Sequence, residues 1–268
     1  MSPPSDEQLD ELLDLACRLA VEAGDRALAG RHDHSLTTPE ALTKSTATDL
    51  VTVHDRAAER VIVDGIAAAR PDDAVFGEEG TNRAGTSGVS WFVDPIDGTT
   101  NFVYDLPAWS TSIAAVGDGD HVLVGAVYVP PIGELFAAAS GRGATLDGRP
   151  ITHSGREDLA LALVGTGFSY DAIRRRQQGA VIERILGDLR DLRRFGSAAM
   201  DCCYVAAGRF DAYFEEGPNR WDMAAGELIA LEAGCRTGDF SGGPPTPAQL
   251  LVAAPAIFDE MAALLTPP

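Results

Sequence analysis

Two aspartates lie three residues apart in the stretch FVDPIDGTTNF, which runs from Phe92 to Phe102. The apolar residues before Asp94 predict a strand, and Pro95 should end it because proline has no backbone N–H for the sheet ladder. Asp94 and Asp97 are then expected on a loop at the carboxyl end of the strand, a usual ligand position in α/β layers. Two carboxylates at such a point can hold a hard cation through oxygen.

The residues that follow offer a place for an anion. Gly98 permits an unusual backbone angle or the close approach of a ligand, and Thr99 begins a Thr-Thr-Asn run with the chemistry of a helix N-cap. Exposed N–H groups at a helix start hold anions such as phosphate. Cation and phosphate sites would therefore face the same point, although an Asp-Pro turn followed by an aspartate cap is an open alternative.

A second acidic motif, VFGEEGT, places Glu78 and Glu79 directly after the apolar run 74–76. Adjacent like charges repel each other, and a bound cation or divergent side-chain directions relieve the repulsion. A cation site and a solvated turn are both open interpretations of this pair.

Two further motifs carry acids beside apolar runs. NRWDMAAGE puts Asp222 at the start of an apolar helix, where it is open to being a metal ligand or a routine helix cap. KSTATDLVTVHD carries Asp49 and Asp55 around a short apolar alternation, and surface acids would explain it as well. Each motif is weak alone, and their combination is what predicts a metal site.

The sequence contains no motif typical of a serine nucleophile, a zinc site or a reactive cysteine pair. No G-x-S-x-G motif occurs, and the five histidines show no H-E-x-x-H or other zinc spacing. The cysteines form no C-x-x-C pair, and we predict that they are reduced core residues of a cytosolic protein: Cys17, Cys202, Cys203 and Cys235.

The composition is that of a globular protein with a strongly acidic balance. The 268 residues carry a formal net charge of −19, from 21 basic and 40 acidic side chains. Duplex nucleic acid would be repelled, and an anionic substrate would need a local positive charge, which a bound metal cation supplies. The N-terminus shows no basic and apolar signal, and no segment reaches the roughly 18 apolar residues of a membrane span, so we expect a cytoplasmic protein.

The apolar periodicity predicts an α/β protein in two halves, 1–150 and 151–268, that pack as one unit. The first half begins with an amphipathic helix capped by Ser5 and Gln8, and a second helix runs from about Val53 to Pro71. Strands are predicted at 74–76, 91–93, 112–116, 122–129, 135–138, 162–165, 211–214 and 250–253. Later helices are predicted at 174–189, 197–207, 223–233 and 256–265.

In this order and spacing, GEEG, DPIDGTTNF, WDMAAG and KSTATDLVTVHD resemble the signatures of the inositol monophosphatase family, from the first helix to the last. The resemblance implies a layered αβαβα sandwich with two sheets and interleaved helix pairs. It also implies a phosphatase that depends on Mg²⁺, with roughly two or three ions, and that lithium inhibits. A homodimer is expected for the same reason.

The resemblance assigns a set of metal ligands: the carboxylates of Glu78, Asp94, Asp97 and Asp222 and the backbone carbonyl of Ile96. Glu78 and Asp94 would share ions, whereas Asp97 and Asp222 would hold the second one.

Further roles follow from the same resemblance. Thr99 would orient the attacking water together with Asp55, and Glu79 would support the outer metal ion. The backbone N–H groups of Gly98 and Thr99 would cradle the phosphate. Lys44 matches a lysine in a mobile loop of the family.

Substrate recognition is expected in the second half of the chain. RRFGSAAMD resembles the family's substrate-side segment, in which Gly196, Ser197 and Ala198 would begin a helix facing the sugar hydroxyls. Glu215 matches an acid that accepts hydrogen bonds from inositol, although an exposed acid after an edge strand is also an open interpretation. The expected substrate is an inositol monophosphate or another small polyol or sugar phosphate.

Two alternatives stay open. The same site would also suit a related substrate such as fructose 1,6-bisphosphate, histidinol phosphate or a phosphoadenosine nucleotide. Some bacterial relatives act as protein partners in RNA processing or transcription, and the arginines at 174–176, 190, 193 and 194 would then form a contact face. A solvated surface also explains those arginines.

Overall fold

The computed structural model describes residues 5–33, 42–43, 50–246 and 248–266. Its α-helices are α1 (Asp6–Asp33), α2 (Val53–Ala69), α3 (Thr99–Val103), α4 (Ala172–Ile185), α5 (Ala198–Ala206), α6 (Arg220–Glu232) and α7 (Phe258–Leu265). Its strands are β1 (Leu42–Thr43), β2 (Leu50–Val51), β3 (Ala74–Gly77), β4 (Asn82–Arg83), β5 (Ser90–Asp97), β6 (Ser110–Val116), β7 (Val122–Val129), β8 (Glu134–Ala139), β9 (Ala144–Leu146), β10 (Arg149–Ile151), β11 (Leu163–Thr166), β12 (Asp191–Arg193), β13 (Ala212–Glu215), β14 (Arg236–Gly238) and β15 (Leu250–Ala253).

The first two helices begin where their capping residues predict. The Ser5 backbone N–H donates to the Gln8 side chain at 2.9 Å, and the Gln8 backbone N–H donates to the Ser5 hydroxyl at 3.2 Å. At the start of α2, Thr52 and Asp55 satisfy each other's backbone N–H groups in the same reciprocal way. Because Pro71 cannot continue a helix, α2 ends at Ala69.

Within the described residues, the first sheet has eight strands in the order β10-β9-β8-β7-β6-β5-β3-β4. The β3–β5 pair is parallel, and its neighbours in the sheet are antiparallel. Its register pairs Gly77 with Val93, so Glu78 and Asp94 are the next residues on two neighbouring strands. The sheet therefore places these two acids side by side.

The predicted end of the strand at Pro95 is wrong, because β5 continues to Asp97. Its register with β6 shifts between Asp94, opposite Ser112, and Asp97, opposite Ser110, which leaves one extra residue on β5. This bulge accommodates the missing N–H of Pro95. In a regular strand, residues three apart point to opposite faces, and the extra residue lets both aspartates face one side.

Within the described residues, the second sheet has five strands in the order β12-β11-β13-β15-β14. β11 pairs in parallel with both β12 and β13, whereas β15 runs antiparallel to β13 and β14. Helices α4 and α5 supply the crossovers between the parallel strands. The carboxyl end of β13 thus leads directly towards the segment before α6.

The inner layers pack through closely fitted apolar faces. Leu19 of α1 and Ile62 of α2 lie against one face of the first sheet, where they pack with Trp91 of β5. Helices α5 and α6 fill the space between the other face of this sheet and the second sheet. A Cβ atom on Gly125 of β7 would lie 2.9 Å from the Cα atom of Ala225, so glycine permits α6 to approach the sheet this closely.

The outer layer is built from α4 and α7. Ile185 of α4 and Phe258 of α7 pack with Leu251 on the outer face of the second sheet. The order of layers is therefore α1 with α2, first sheet, α5 with α6, second sheet, and α4 with α7. This confirms the predicted αβαβα sandwich, whereas the division into halves 1–150 and 151–268 stays a prediction.

The predicted longer strands and helices are present, and their bounds lie within four residues of those expected. The short strands β1, β2, β4, β9, β10, β12 and β14 were not predicted. All four cysteines are free, and those of the second half are buried, as predicted. None of the described helices combines the length and apolar character that a bilayer crossing requires.

Candidate active site

Acids from three of the motifs meet at one cavity of about 270 Å³, between the ends of β3, β5 and β13 and the start of α6. The predicted metal ligands that line it are Glu78, Asp94, Ile96, Asp97 and Asp222. The predicted phosphate-side and substrate-side residues that line it are Gly98, Thr99, Gly196, Ala198 and Glu215. Residues spread over nearly 150 positions of the sequence therefore surround a single space.

Asp94 occupies the most crowded position of the cavity. Its carboxylate accepts the backbone N–H of Ile96 at 3.0 Å and shares a hydrogen bond with Glu78. Burial raises the pKa of Asp94 well above its usual range, and the negative charges of Glu78, Asp97 and Asp222 raise it further. Positive charge brought into the cavity would stabilise the ionised form of this group.

Asp97 is held by the start of α5. Its carboxylate accepts the Ser197 hydroxyl and the Ala199 backbone N–H, both at 2.8 Å. Burial raises the pKa of Asp97 to about 7, although these two hydrogen bonds act to lower it. Ser197 itself is fully buried behind Asp97 and also contacts the Ser110 hydroxyl at 3.0 Å.

Asp222 serves α6 and the cavity together. Its carboxylate accepts the backbone N–H of Asn219 at 2.7 Å, as a residue in the first helical turn does in a capping box. Burial raises the pKa of Asp222 well above its usual range, and the negative charges of Glu78 and Asp97 raise it further. The helix-cap interpretation of Asp222 is thus correct, and it is compatible with a position at the cavity.

Asp55 and Thr99 form a buried pair beside the cavity. The Thr99 hydroxyl lies 3.2 Å from Asp55 Oδ1 and 3.2 Å from the carbonyl oxygen of Ile96, and its single proton is donated to one of them. Asp55 also accepts the Thr52 backbone N–H at 2.7 Å. Asp55 is completely buried, so its interpretation as a surface acid is wrong.

The turn that carries Glu78 and Glu79 is organised by an acid that no motif predicted. Glu59 on α2 accepts the backbone N–H of Glu79 at 2.8 Å, the Thr81 hydroxyl at 2.6 Å and the Thr81 N–H at 3.3 Å. A Cβ atom at Gly77 would collide with the Glu59 carboxylate. The sequence does contain a pattern that could have predicted this role: Glu59 stands one helical turn after Asp55 and lies on the same face of α2.

Gly98 makes the sharp turn from β5 into α3. Its φ of 101° lies in the left-handed region, which residues other than glycine rarely adopt. A Cβ atom at this position would also lie 3.0 Å from the carbonyl oxygen of Gly196. The Asn101 amide ties the same region together by donating to the carbonyl oxygens of Ala108 and Phe195 at 2.5 and 2.6 Å. Two chain segments far apart in sequence are thereby fixed against each other.

The substrate side of the cavity is formed around Glu215 at the end of β13. The Tyr213 hydroxyl donates to Glu215 Oε2, and burial raises the pKa of Glu215. Gly167 must lack a side chain, because a Cβ atom there would collide with the Glu215 carboxyl group. Six further residues line the cavity that were not predicted as site residues, although Arg194, Asn219 and Trp221 stand inside quoted motifs: Gly167, Phe168, Tyr170, Arg194, Asn219 and Trp221.

The basic clusters separate into different environments. Arg174, Arg175 and Arg176 are exposed on α4, as a solvated helix surface would be. Arg194, in contrast, lies at the wall of the cavity. Lys44 and Asp49 lie outside the described residues.

The donor set fits a hard divalent cation. Four carboxylates and a backbone carbonyl supply only oxygen ligands, and their mutual repulsion favours bound positive charge. In the described part of the chain, no three His, Cys, Asp or Glu side chains are placed so that all hold one ion. Mg²⁺ keeps several waters and takes few protein ligands, so it does not need such a closed cage.

Comparisons with known proteins agree with this geometry. An inositol-1-monophosphatase of Mycobacterium leprae (strain TN) is 46% identical over 233 residues, which cover 83% of this chain and 80% of that protein. A protein named Nus factor SuhB, from Pasteurella multocida (strain Pm70), is 42% identical over 259 residues, which cover 94% and 95%. The crystal structure of the extragenic suppressor protein suhB from Bartonella henselae has a TM-score of 0.90 at 30% identity, covering 96% and 98%.

The family model of the inositol monophosphatase family matches residues 8–266, which is nearly the whole chain. With relatives above 40% identity over most of its length and the same fold, the chain belongs to the inositol monophosphatase family and is a phosphatase that acts on phosphoric monoesters.

Proposed function

We propose that this protein hydrolyses inositol monophosphates, converting myo-inositol 1-phosphate to inositol and phosphate, and also other small polyol or sugar phosphates, with Mg²⁺ as cofactor. The observation that carries the proposal is the convergence of Glu78, Asp94, Asp97 and Asp222 on one cavity next to the Gly98 turn. Phosphate-ester hydrolysis without a catalyst is extremely slow, so the site must lower the barrier by about 20 kcal/mol.

The carboxylates and the Ile96 carbonyl would hold roughly two or three Mg²⁺ ions. When bound, these ions would polarise the phosphoryl oxygens and lower the pKa of a bound water molecule. Together these two effects would make the largest electrostatic contribution to lowering the barrier. Glu79 follows Glu78 in the turn that Glu59 organises, and we assign it a supporting role beside the outer ion. The protein's own contribution is to keep these oxygen atoms together despite their repulsion.

Asp55 and Thr99 are assigned to the attacking water. When Thr99 donates its proton to Asp55, the Thr99 oxygen is left as an acceptor that orients a water molecule towards the phosphorus. Asp55 fixes this direction because it is itself held by Thr52. The pair would therefore orient the attacking water, and the Thr99 hydroxyl would also give the proton of that water a path to Asp55.

The phosphate and the alcohol part of the substrate are assigned to opposite sides of the cavity. The backbone N–H groups of Gly98 and Thr99 would bind the phosphate. Gly196, Ser197 and Ala198 would form the substrate side, with Ser197 acting through Asp97. Tyr213 occupies Oε2 of Glu215, so we assign Oε1 to a substrate hydroxyl.

A direct test compares Asp94→Asn and Asp222→Asn with the wild type on inositol 1-phosphate. Loss of one negative ligand should lower kcat/KM on the order of a hundredfold or more. EDTA should abolish activity, and lithium should inhibit it. Phosphate release is the measurement.

Asp158→Asn is the matched control. Asp158 caps a 3₁₀ turn by accepting the backbone N–H of Ala160 at 3.0 Å, and it does not line the cavity. Its rate should stay at the wild-type value. An Asp94→Asn variant that keeps the wild-type rate would rule out the metal assignment.

Substrate choice needs a panel of esters. Inositol 1-phosphate should give the highest kcat/KM, ahead of fructose 1,6-bisphosphate, histidinol phosphate and a phosphoadenosine nucleotide. A different ranking would move the assignment to that substrate without changing the metal site.

A second candidate is a protein-interaction role in RNA processing or transcription. It is favoured by the relative named Nus factor SuhB and by the exposed arginines 174–176 on α4. Such a role should survive in Asp94→Asn and be lost when the three arginines become alanine. A pull-down with transcription factors that fails for the wild type would reject it.

A homodimer and a cytoplasmic location stay predictions. Light scattering at several protein concentrations measures the first, and cell fractionation measures the second. Nucleic acid is not proposed as a direct ligand, because the net charge of −19 opposes it.

A further inference from the structure

Strand β6 carries three consecutive hydroxyl groups, on Ser110, Thr111 and Ser112, and all three residues are completely buried. A buried hydroxyl costs free energy unless it is hydrogen-bonded, so an apolar residue would be the ordinary choice in a strand that is buried along its whole length. Each of the three hydroxyls is bonded, and each partner lies next to an acid of the cavity, in space or in sequence.

The sheet register sets the two serines beside the two aspartates of β5. Ser112 is opposite Asp94, and Ser110 is opposite Asp97. Residues directly opposite each other on neighbouring strands present their side chains on the same face of the sheet. Both serine hydroxyls therefore lie on the face that holds the acids, where they contact the starts of α5 and α6.

Ser110 supports Asp97 through a chain of two hydroxyls. The Ser197 hydroxyl donates its single proton to Asp97 Oδ2 at 2.8 Å, so Ser110 is the donor in its 3.0 Å contact with Ser197. Each donor in such a chain polarises the next and strengthens its bond. The hydrogen bonds that described residues donate to Asp97 all fall on Oδ2, which leaves the other oxygen for a cation. The carboxylate is thereby held in one orientation.

Ser112 supports Asp222 through the backbone. Its hydroxyl donates to the carbonyl oxygen of Trp221 at 3.1 Å, and Trp221 directly precedes Asp222 in the first turn of α6. The backbone N–H of Asn219 fixes the carboxylate itself by donating to Asp222 Oδ2 at 2.7 Å. The start of α6 is thus attached to β6 at the residue that lies opposite Asp94.

We propose that Ser110 and Ser112 are positioning residues of the metal site, which fix Asp97 and Asp222 relative to Asp94. The like charges of these acids repel each other, and hydrogen bonds from a rigid central strand oppose their separation. Partners that orient metal ligands in this way contribute to metal affinity as well as to folding. The inference rests on the proposed function, because it takes Mg²⁺ as the ion that the acids hold.

Titration calorimetry with Mg²⁺ alone measures the effect of Ser110→Ala and Ser112→Ala. Each variant should bind Mg²⁺ about tenfold more weakly than the wild type. Cysteine at either position fills nearly the same space with a weaker donor, so its affinity should lie between those of serine and alanine. Ser154→Ala is the matched control, since it removes a hydroxyl donor to Asp211, a buried aspartate that does not line the cavity. Its Mg²⁺ affinity should equal that of the wild type.

A double-mutant cycle separates positioning from general packing. Because Ser110 acts through Ser197, Ser110→Ala should weaken Mg²⁺ binding no further once Ser197 is replaced by alanine. Ser112→Ala acts through Trp221 and should keep its full effect in the same background. A lowered melting temperature with unchanged Mg²⁺ affinity, or an effect of Ser110→Ala that persists beside Ser197→Ala, would overturn the inference.

Failure of the proposed function gives a different result from failure of this inference. A wild-type protein that binds Mg²⁺ but releases no phosphate from any ester refutes the function, and the Mg²⁺ affinities of the serine variants still decide the inference. An active wild type whose Mg²⁺ affinity is the same in all serine variants refutes the inference alone. A wild type that binds no Mg²⁺ rejects both.

Discussion

Acids at the cavity are also structural residues. Asp222 accepts a backbone N–H at the start of α6, and Asp55 does the same at the start of α2. An asparagine at either position keeps an oxygen acceptor for the cap but loses the negative charge. Loss of activity in Asp222→Asn without a lowered melting temperature would therefore report on charge rather than on folding.

Glu59 provides a prediction at the level of one residue. In Glu59→Gln, one acceptor oxygen becomes an NH₂ group that faces N–H donors, so the turn at Glu78 and Glu79 should loosen. We expect Mg²⁺ to bind about tenfold more weakly, which corresponds to about 1.4 kcal/mol. Calorimetric titration with Mg²⁺ alone measures this without substrate.

Glu232→Gln is the control for Glu59. Glu232 also accepts two backbone N–H groups, from Gly141 at 2.6 Å and Gly143 at 2.7 Å, but it does not line the cavity. Its replacement should leave Mg²⁺ affinity unchanged. Equal affinities in both variants would contradict the role of Glu59.

At the level of elements, the turn from β5 into α3 aligns the phosphate side with the acids. The bulge at Pro95 brings Asp94 and Asp97 to one side, and the left-handed Gly98 then starts α3 at once. Neither feature is regular secondary structure. Both depend on how β6 and the segment at Gly196 pack around the turn.

Gly98→Ala tests this turn. The left-handed backbone and the contacts with Gly196 and Ala108 should cost about 1–3 kcal/mol of unfolding free energy. Phosphate release should fall as well, because the turn must shift. Denaturant unfolding and enzyme assays measure the two effects.

Gly119→Ala separates backbone strain from the contacts. Gly119 also has a left-handed φ, of 71°, but a Cβ atom there meets nothing within 4 Å. This variant should be destabilised by about 1 kcal/mol or less and keep full activity. Equal effects of the two substitutions would show that the contacts around Gly98 are unimportant.

For the whole molecule, the acidic cavity should make stability depend on pH. Burial raises the pKa of Asp97 to about 7 from an ordinary 3.8, so the folded protein binds a proton that the unfolded chain releases. Unfolding free energy should fall as pH rises through the interval between these values. Asp94 and Asp222 act with the same sign.

In EDTA, the melting temperature should decrease from pH 5 to pH 8. The decrease should be smaller in Asp97→Asn, which lacks this titrating group. Mg²⁺ should restore stability at the upper pH, because it binds the folded state alone. The lowered pKa values of Asp191 and Asp239 affect stability only at lower pH. A melting temperature that is constant or rises over this interval in EDTA would contradict the prediction.

Much of the fold was predictable because helix and strand periods are local. The long strand Val122–Val129 and the helix Val53–Ala69 follow directly from apolar spacing and capping residues. Short strands such as β9 and β12 carry only three residues each and have no period to detect. They form because neighbouring strands supply their partners.

The amino-acid sequence by itself determined which side chains are available for chemistry: oxygen-bearing acids in four motifs, a glycine turn, and no competing nucleophile pattern. Only the tertiary structure decided that the strand continues past Pro95, that Glu59 organises the Glu78 turn, and that Arg194 lies at the cavity. The physical reason is that these contacts join distant parts of the chain, as Ser197 and Asp97 do across 100 positions. Local propensity does not predict contacts between residues so far apart in the sequence, because these contacts form only when the layers pack.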